Sequence, residues 1–101
     1  MPLENKLLLE NKIAIVVGGG QTPGETIGNG RATAILFARE GAKVAVADRL
    51  LWSAEETVKL IVAEGFEAFA YELDVRDEDG IKNLVSTVVQ KWGRIDILHN
   101  N

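Results

Sequence analysis

The chain has 101 residues, a formal charge of −4 from 11 Lys+Arg against 15 Asp+Glu, and no cysteine. The absence of cysteine excludes a disulfide scaffold and a cysteine-ligated zinc module; the acidic balance, with no basic block, argues against binding nucleic acid. With 47% hydrophobic residues, no apolar run near the ~20 residues of a membrane span and no secretory signal, the expectation is one globular domain in the cytoplasm.

Residues 1–11 read as a leader, with Leu7, Leu8 and Leu9 expected to pack as a small flap on a sheet edge. Lys12–Val17 is an apolar, β-branched run ended by Gly18-Gly19-Gly20, which reads as a strand buried on both faces. From Gly30 to Glu40, Ala34, Phe37 and Ala38 recur at helical spacing, and Gly41 is a stop. Lys43–Asp48 is a second buried strand. From Ala54 to Glu64, Val58, Ile61 and Val62 form one face, Ser53 and Glu56 have capping-box spacing, and Gly65 closes the segment. Glu67–Leu73 is a weaker third strand. From Glu78 to Trp92, Ile81, Leu84, Val85, Val88 and Trp92 share a face, Asp77 is the expected N-cap, and Gly93 is the stop. Arg94–Leu98 is the fourth strand. The order β-α-β-α-β-α-β predicts an α/β fold with helices on both faces of a parallel sheet.

The most informative stretch runs from Gly18 to Ala32, between the first strand and the first helix. Glycines there let backbone N–H groups approach an anion beside a helix N-terminus. A connection of this length exceeds what packing alone requires. A strict G-x-G-x-x-G fails, because Pro23 follows Gly18 and Gly20 where the third glycine should stand, and Thr33 follows Gly28 and Gly30. Gly19–Thr26 follows the phosphate-loop spacing except that Glu25 stands where lysine is needed, so kinase or GTPase chemistry is disfavoured.

Asp48 ends the second strand, 20 residues after Gly28. In a β-α-β unit that position faces the ribose of a dinucleotide bound across the first turn. Its carboxylate can accept from both adenosine-ribose hydroxyls and would repel a 2′-phosphate. NAD is therefore the expected cofactor, and neighbouring Arg49 leaves some room for NADP. Alone, Asp48-Arg49 would read equally well as a turn.

From Leu9 to Asn101 the residues resemble the N-terminal part of the short-chain dehydrogenase/reductase family. Leu9–Gly18 resembles its opening strand, and Gly18, Gly28 and Gly30 map to its T-G-x-x-x-G-x-G turn. Arg31–Val44 resembles its first helix and second strand, Leu73-Asp74-Val75 its "D-V" after the third strand, and Asp96–Asn101 its fourth strand running into "N-N-A-G". Three departures stand out. Val17 replaces the usual threonine, six extra residues separate Gly18 from Gly28, and Asn29 replaces the usual Ile or Leu, as in subgroups with an extended G-N-G turn. Thr26-Ile27-Gly28 is also a faint echo of the stretched loop of enoyl reductases.

The resemblance implies a Rossmann-type doubly wound sheet, strand order 3-2-1-4, over residues 12–101. It implies that amides around Gly18, Gly20, Gly28, Asn29 and Gly30 approach the pyrophosphate and its ribose. Asp48 with Arg49 would take the adenosine ribose, Asp74 and Val75 the adenine, and Asn100 and Asn101 would line the adenosine side and brace the sheet. No metal is implied. Asp74 reads otherwise as a turn cap, and His99, the only histidine, as a packed strand-end residue.

By resemblance the activity is hydride transfer between a nicotinamide cofactor and an alcohol or carbonyl substrate, using a Tyr-x-x-x-Lys pair and a serine in a homo-oligomer. The only tyrosine is Tyr71, with Val75 four residues on. No catalytic residue is therefore expected in this stretch, and the chain by itself is expected to be inactive. Two readings follow: the cofactor-binding part of a longer oxidoreductase, cut after the fourth strand, or a self-standing dinucleotide-binding or regulatory module.

Overall fold

The structure, a computed structural model, describes residues 7–20 and 29–101. Its elements run β1 (Ile13–Val17), α1 (Asn29–Arg39), β2 (Lys43–Asp48), α2 (Leu51–Ala63), β3 (Ala68–Glu72), α3 (Glu78–Trp92) and β4 (Ile97–Asn100). The four strands form one parallel sheet in the order β3-β2-β1-β4. The parallel sheet is what the alternating pattern predicts, and the strand order is the doubly wound one that the family resemblance implies.

The period-2 geometry of β1 explains its apolar continuity. Ala14 and Val16 face one core with Ala34 and Ala38 of α1 and Ala54 and Ile61 of α2. Ile13, Ile15 and Val17 face the other core with Leu84 and Val88 of α3. The small residues Ala34 and Ala38 let α1 lie close to the sheet. Gly93 ends α3 in the left-handed region (φ 89°) and donates its N–H to the Val89 carbonyl.

Some local expectations are corrected. Helix α2 starts at Leu51, so Ser53 lies buried inside its first turn and Glu56 turns to Arg31 instead of forming a capping box. The cause is Asp48: its Oδ1 accepts the Leu50 amide at 2.9 Å, an Asx turn that starts the helix early. The buried line of α2 is Ser53, Ala54, Thr57 and Ile61, while Val62 is exposed. Asp77 occupies the N-cap of α3 without a side-chain cap bond. The fourth strand begins at Ile97, three residues later than expected, because Arg94 and Asp96 form a clamp instead. Asp96 accepts the Ile13 amide at 2.8 Å and Arg94 Nε at 2.9 Å, and Arg94 also reaches the Asn11 carbonyl.

Of the leader, residues 7–11 are described, and they pack at the α1–β2 turn rather than along an edge strand. The Leu9 amide donates to the Glu40 carbonyl and Leu9 joins the core, while Leu7 and Leu8 are exposed. On the α3 side, Ile81, Val85 and Leu98 remain exposed around an apolar cleft of about 130 Å³. Among the described residues no helix is long and apolar enough to cross a membrane, and no group of three or more His, Cys, Asp or Glu could hold a metal ion.

Candidate dinucleotide site at the carboxyl edge

Parallel pairing places every strand's carboxyl end on one side of the sheet. The register aligns Val17 with Ala47 and Asn100, and Asp48 with Glu72. The chain turns outward in opposite directions from β1, to β2 on one side and β4 on the other. In open α/β sheets a crevice forms at such a switch point. Here it is a cleft of about 450 Å³, inside the ~300–1,000 Å³ range of small-molecule sites. Gly18, Asp48, Arg49, Asp74, Val75 and Asn101 line it, together with Val17, Leu73 and Arg76.

Gly18 sits at the floor with φ 78°. A Cβ there would lie 3.3 Å from the Asn101 Cβ and 3.4 Å from its carbonyl oxygen. Both the backbone angle and the close approach therefore call for glycine. The Asn101 amide donates to the Val17 carbonyl at 3.0 Å, which extends the β1–β4 pairing to the cleft. Asn100, one residue earlier, lines the adjoining apolar cleft instead. Its place in β4 braces the sheet, but it does not join Asn101 in the main cleft.

The amides of Gly18, Gly19 and Gly20 are bonded inside the protein. Gly18 and Gly19 both donate to the Ala47 carbonyl, at 2.8 and 3.2 Å. Gly20 donates to Asp48 Oδ2 at 2.9 Å. Gly30, buried in the first turn of α1, has no room for a side chain because a Cβ would overlap the Gly18 carbonyl. Gly28 lies outside the described residues, and Asn29 begins α1.

Asp48 is partly buried and holds two amides, one on each oxygen. A carboxylate offers about four lone-pair sites, so acceptor capacity remains, and Asp48 lines the cleft. Asp74 closes the β3 end in the same way. Its Oδ1 accepts the Arg76 amide at 2.9 Å, and the Arg76 guanidinium bridges both of its oxygens. The Arg76 side chain first, then its amide, and more distantly Arg49 hold Asp74 well below the usual carboxylate range. Arg49 and Arg76 also line the cleft, Arg76 in its ion pair with Asp74.

Two residues absent from the predicted site support it from behind. Arg31 and Thr57 are buried between α1 and α2 and reach the Gly19 carbonyl through the Thr57 hydroxyl. The one sequence signal for them is a polar pair, Ser53 and Thr57, at the buried four-residue spacing of α2. His99 stacks edge-on against Phe37 of α1 at 6.1 Å, the packed strand-end role expected of it.

A four-stranded parallel sheet in the order β3-β2-β1-β4, with a ligand-sized crevice at its switch point, defines an α/β protein of the doubly wound class. The chain belongs to the short-chain dehydrogenase family, whose family model, described as short chain dehydrogenase, matches residues 12–101. It is 42% identical over 95 residues to the 3-oxoacyl-[acyl-carrier-protein] reductase FabG of Thermotoga maritima, covering 92% of this chain and 35% of that protein. It is 40% identical over 92 residues to the short-chain dehydrogenase/reductase homolog YusS of Bacillus subtilis, covering 90% of this chain and 79% of that protein. Among solved structures it resembles a hydroxysteroid dehydrogenase from Escherichia coli, with 36% identity and a TM-score of 0.84 over 95% of this chain and 38% of that one. It also resembles an NAD-bound oxidoreductase from Haemophilus influenza, with 29% identity and a TM-score of 0.78 over 89% of this chain and 30% of that one. The chain spans about a third of the length of the first curated relatives it matches.

Proposed function

We propose that these residues bind the adenosine half of a nicotinamide dinucleotide, NAD in preference to NADP, within an oxidoreductase that interconverts an alcohol and a carbonyl. The observation that carries the reading is Asp48. It stands at the strand tip beside the switch-point cleft, anchored by two amides and with acceptor capacity left over.

The fit follows from the donor set. The remaining lone pairs of Asp48 accept the two ribose hydroxyls, and its charge opposes a 2′-phosphate. Asp74 and the Val75 backbone face the adenine, with Asn101 and Gly18 as the floor. The pyrophosphate falls to Asn29 and Gly30 at the start of α1 and to Gly28 before them in the sequence, because the Gly18, Gly19 and Gly20 amides are already bonded. Bound there, the cofactor would supply the ring that gives or takes a hydride. The alcohol/carbonyl class is supported by the reductase and dehydrogenase names of the relatives. The NAD-bound neighbour supports the cofactor.

A second reading, a dinucleotide-binding module without catalysis of its own, is favoured by one observation: YusS, a relative of comparable length. Calorimetric titration with NADH and NADPH tests both readings. Tighter binding of NADH supports the site; no binding of either would remove it. Turnover of a carbonyl substrate by the same polypeptide would exclude the module reading.

A further inference from the structure

The Gly19–Gly20 peptide unit is held from both sides. Its carbonyl, on Gly19, accepts the Thr57 hydroxyl at 2.7 Å. Its N–H, on Gly20, donates to Asp48 Oδ2 at 2.9 Å. Both groups belong to one planar unit, so α2 and the tip of β2 together set the plane of that peptide.

The direction of the relay follows from chemistry. Arg31 is 9% exposed and can only donate. Its Nε gives a hydrogen bond to Thr57 Oγ1 at 2.8 Å, and its Nη2 reaches the Ser53 carbonyl at 3.2 Å and Glu56 Oε1 at 3.1 Å. Thr57 is fully buried, so its oxygen must accept from Arg31 and its single proton must go elsewhere. The Gly19 carbonyl at 2.7 Å is nearer than the Ser53 carbonyl at 3.3 Å. The chain Arg31 to Thr57 to Gly19 is thus polarised one way, and it ends on the peptide whose other side grips Asp48.

We propose that Arg31 and Thr57 are positioning residues for the ribose-binding carboxylate: they lock the Gly19–Gly20 peptide so that its amide orients Asp48 toward the cleft. This rests on the dinucleotide reading above. It adds to that reading a pair of buried residues that touch no ligand and act through Asp48.

The test uses Thr57→Val, near in shape but without the hydroxyl, and Thr57→Ser, which keeps it. Amide exchange at Gly20 reads the lock with no cofactor present; NADH titration reads the consequence. Thr57→Val is expected to speed Gly20 exchange and weaken NADH binding, each roughly tenfold, the scale of one buried hydrogen bond. Thr57→Ser is expected to stay within about twofold of the unaltered chain in both. In an Asp48→Ala background the effect of Thr57→Val on NADH should vanish, a coupling that a merely structural role would not produce. Should Thr57→Val fail to fold, Arg31→Lys removes the Nε donor, keeps charge beside Glu56 and is read in the same way. Unchanged Gly20 exchange in the variant would overturn the lock. Faster exchange with unchanged NADH affinity would overturn the positioning role. An unaltered chain that binds no NADH would remove the dinucleotide reading and this role with it, whatever the exchange data show.

Discussion

Asp48 Oδ2 accepts the Gly20 amide at 2.9 Å, so the tip of β2 holds the loop that leaves β1. The same carboxylate starts α2 by accepting the Leu50 amide through its other oxygen. One side chain thereby ties together the two segments that flank the cleft, which makes it the most sensitive point of the site.

Asp48→Ala is expected to weaken NADH while improving NADPH relative to it. Hydrogen bonds to a charged group are worth ~1.5–3 kcal/mol, so the loss for NADH is on the order of 10–100-fold. Asp48→Asn, which keeps an acceptor but removes the charge, should relax the discrimination against NADPH with a smaller loss of NADH. Calorimetry on the three chains checks this; an unchanged NADH/NADPH ratio in Asp48→Ala would contradict the assignment.

Two glycines should respond to alanine for different reasons. Gly30→Ala forces a Cβ into the Gly18 carbonyl and is expected to cost at least about 3 kcal/mol or prevent folding. Gly65→Ala meets open space but sits at φ 91°, so its cost is only ~1–2 kcal/mol of backbone strain. Urea denaturation of both variants ranks them.

Acid should loosen the β1–β4 junction. The Ile13 amide, followed by Arg94, holds the Asp96 carboxyl below its ordinary value of 3.8. A lowered folded value means the stabilisation is present above 3.8 and is lost as pH falls through the folded value. Thermal melting from neutral pH down to about pH 3 and below should show a steeper acid limb for the unaltered chain than for Asp96→Asn. Identical acid limbs would contradict the role.

The apolar rim on the α3 side should make the polypeptide self-associate when nothing covers it. Leu98 is 66% exposed, and Ile81, Val85 and Val89 lie exposed on α3. Ile81, Val85 and Leu98 border one apolar cleft, and exposed apolar surface of this kind favours association. Sedimentation velocity should show concentration-dependent oligomers that Leu98→Glu with Ile81→Glu disperses. A unaltered chain that stays monomeric at high concentration would contradict this.

The fold was legible because β1 and β2 are continuous apolar runs and each helix ends on a glycine, Gly41, Gly65 and Gly93, all at positive φ. Asp48 and Asp74 were legible as strand-tip carboxylates. Their Asx turns were less so, and the turn at Asp48 is why Ser53 lies inside α2 and not at its cap. The commitment of the Gly18, Gly19 and Gly20 amides depends on where Ala47 and Asp48 fall in space, a pairing no local pattern encodes. The Arg31–Thr57 relay spans 26 residues between two helix faces and was hidden for the same reason.

The central claim is that the cleft at the carboxyl edge takes the adenosine half of NAD. Titrating isotopically labelled polypeptide with NADH, while following backbone amide resonances, tests it directly. Saturable shifts are expected at Gly18, Leu50, Val75 and Asn101, with none at Gly65 and Gly93 at the opposite edge. Saturation with no shifts at the carboxyl edge, or shifts centred on Gly65 and Gly93, would contradict it.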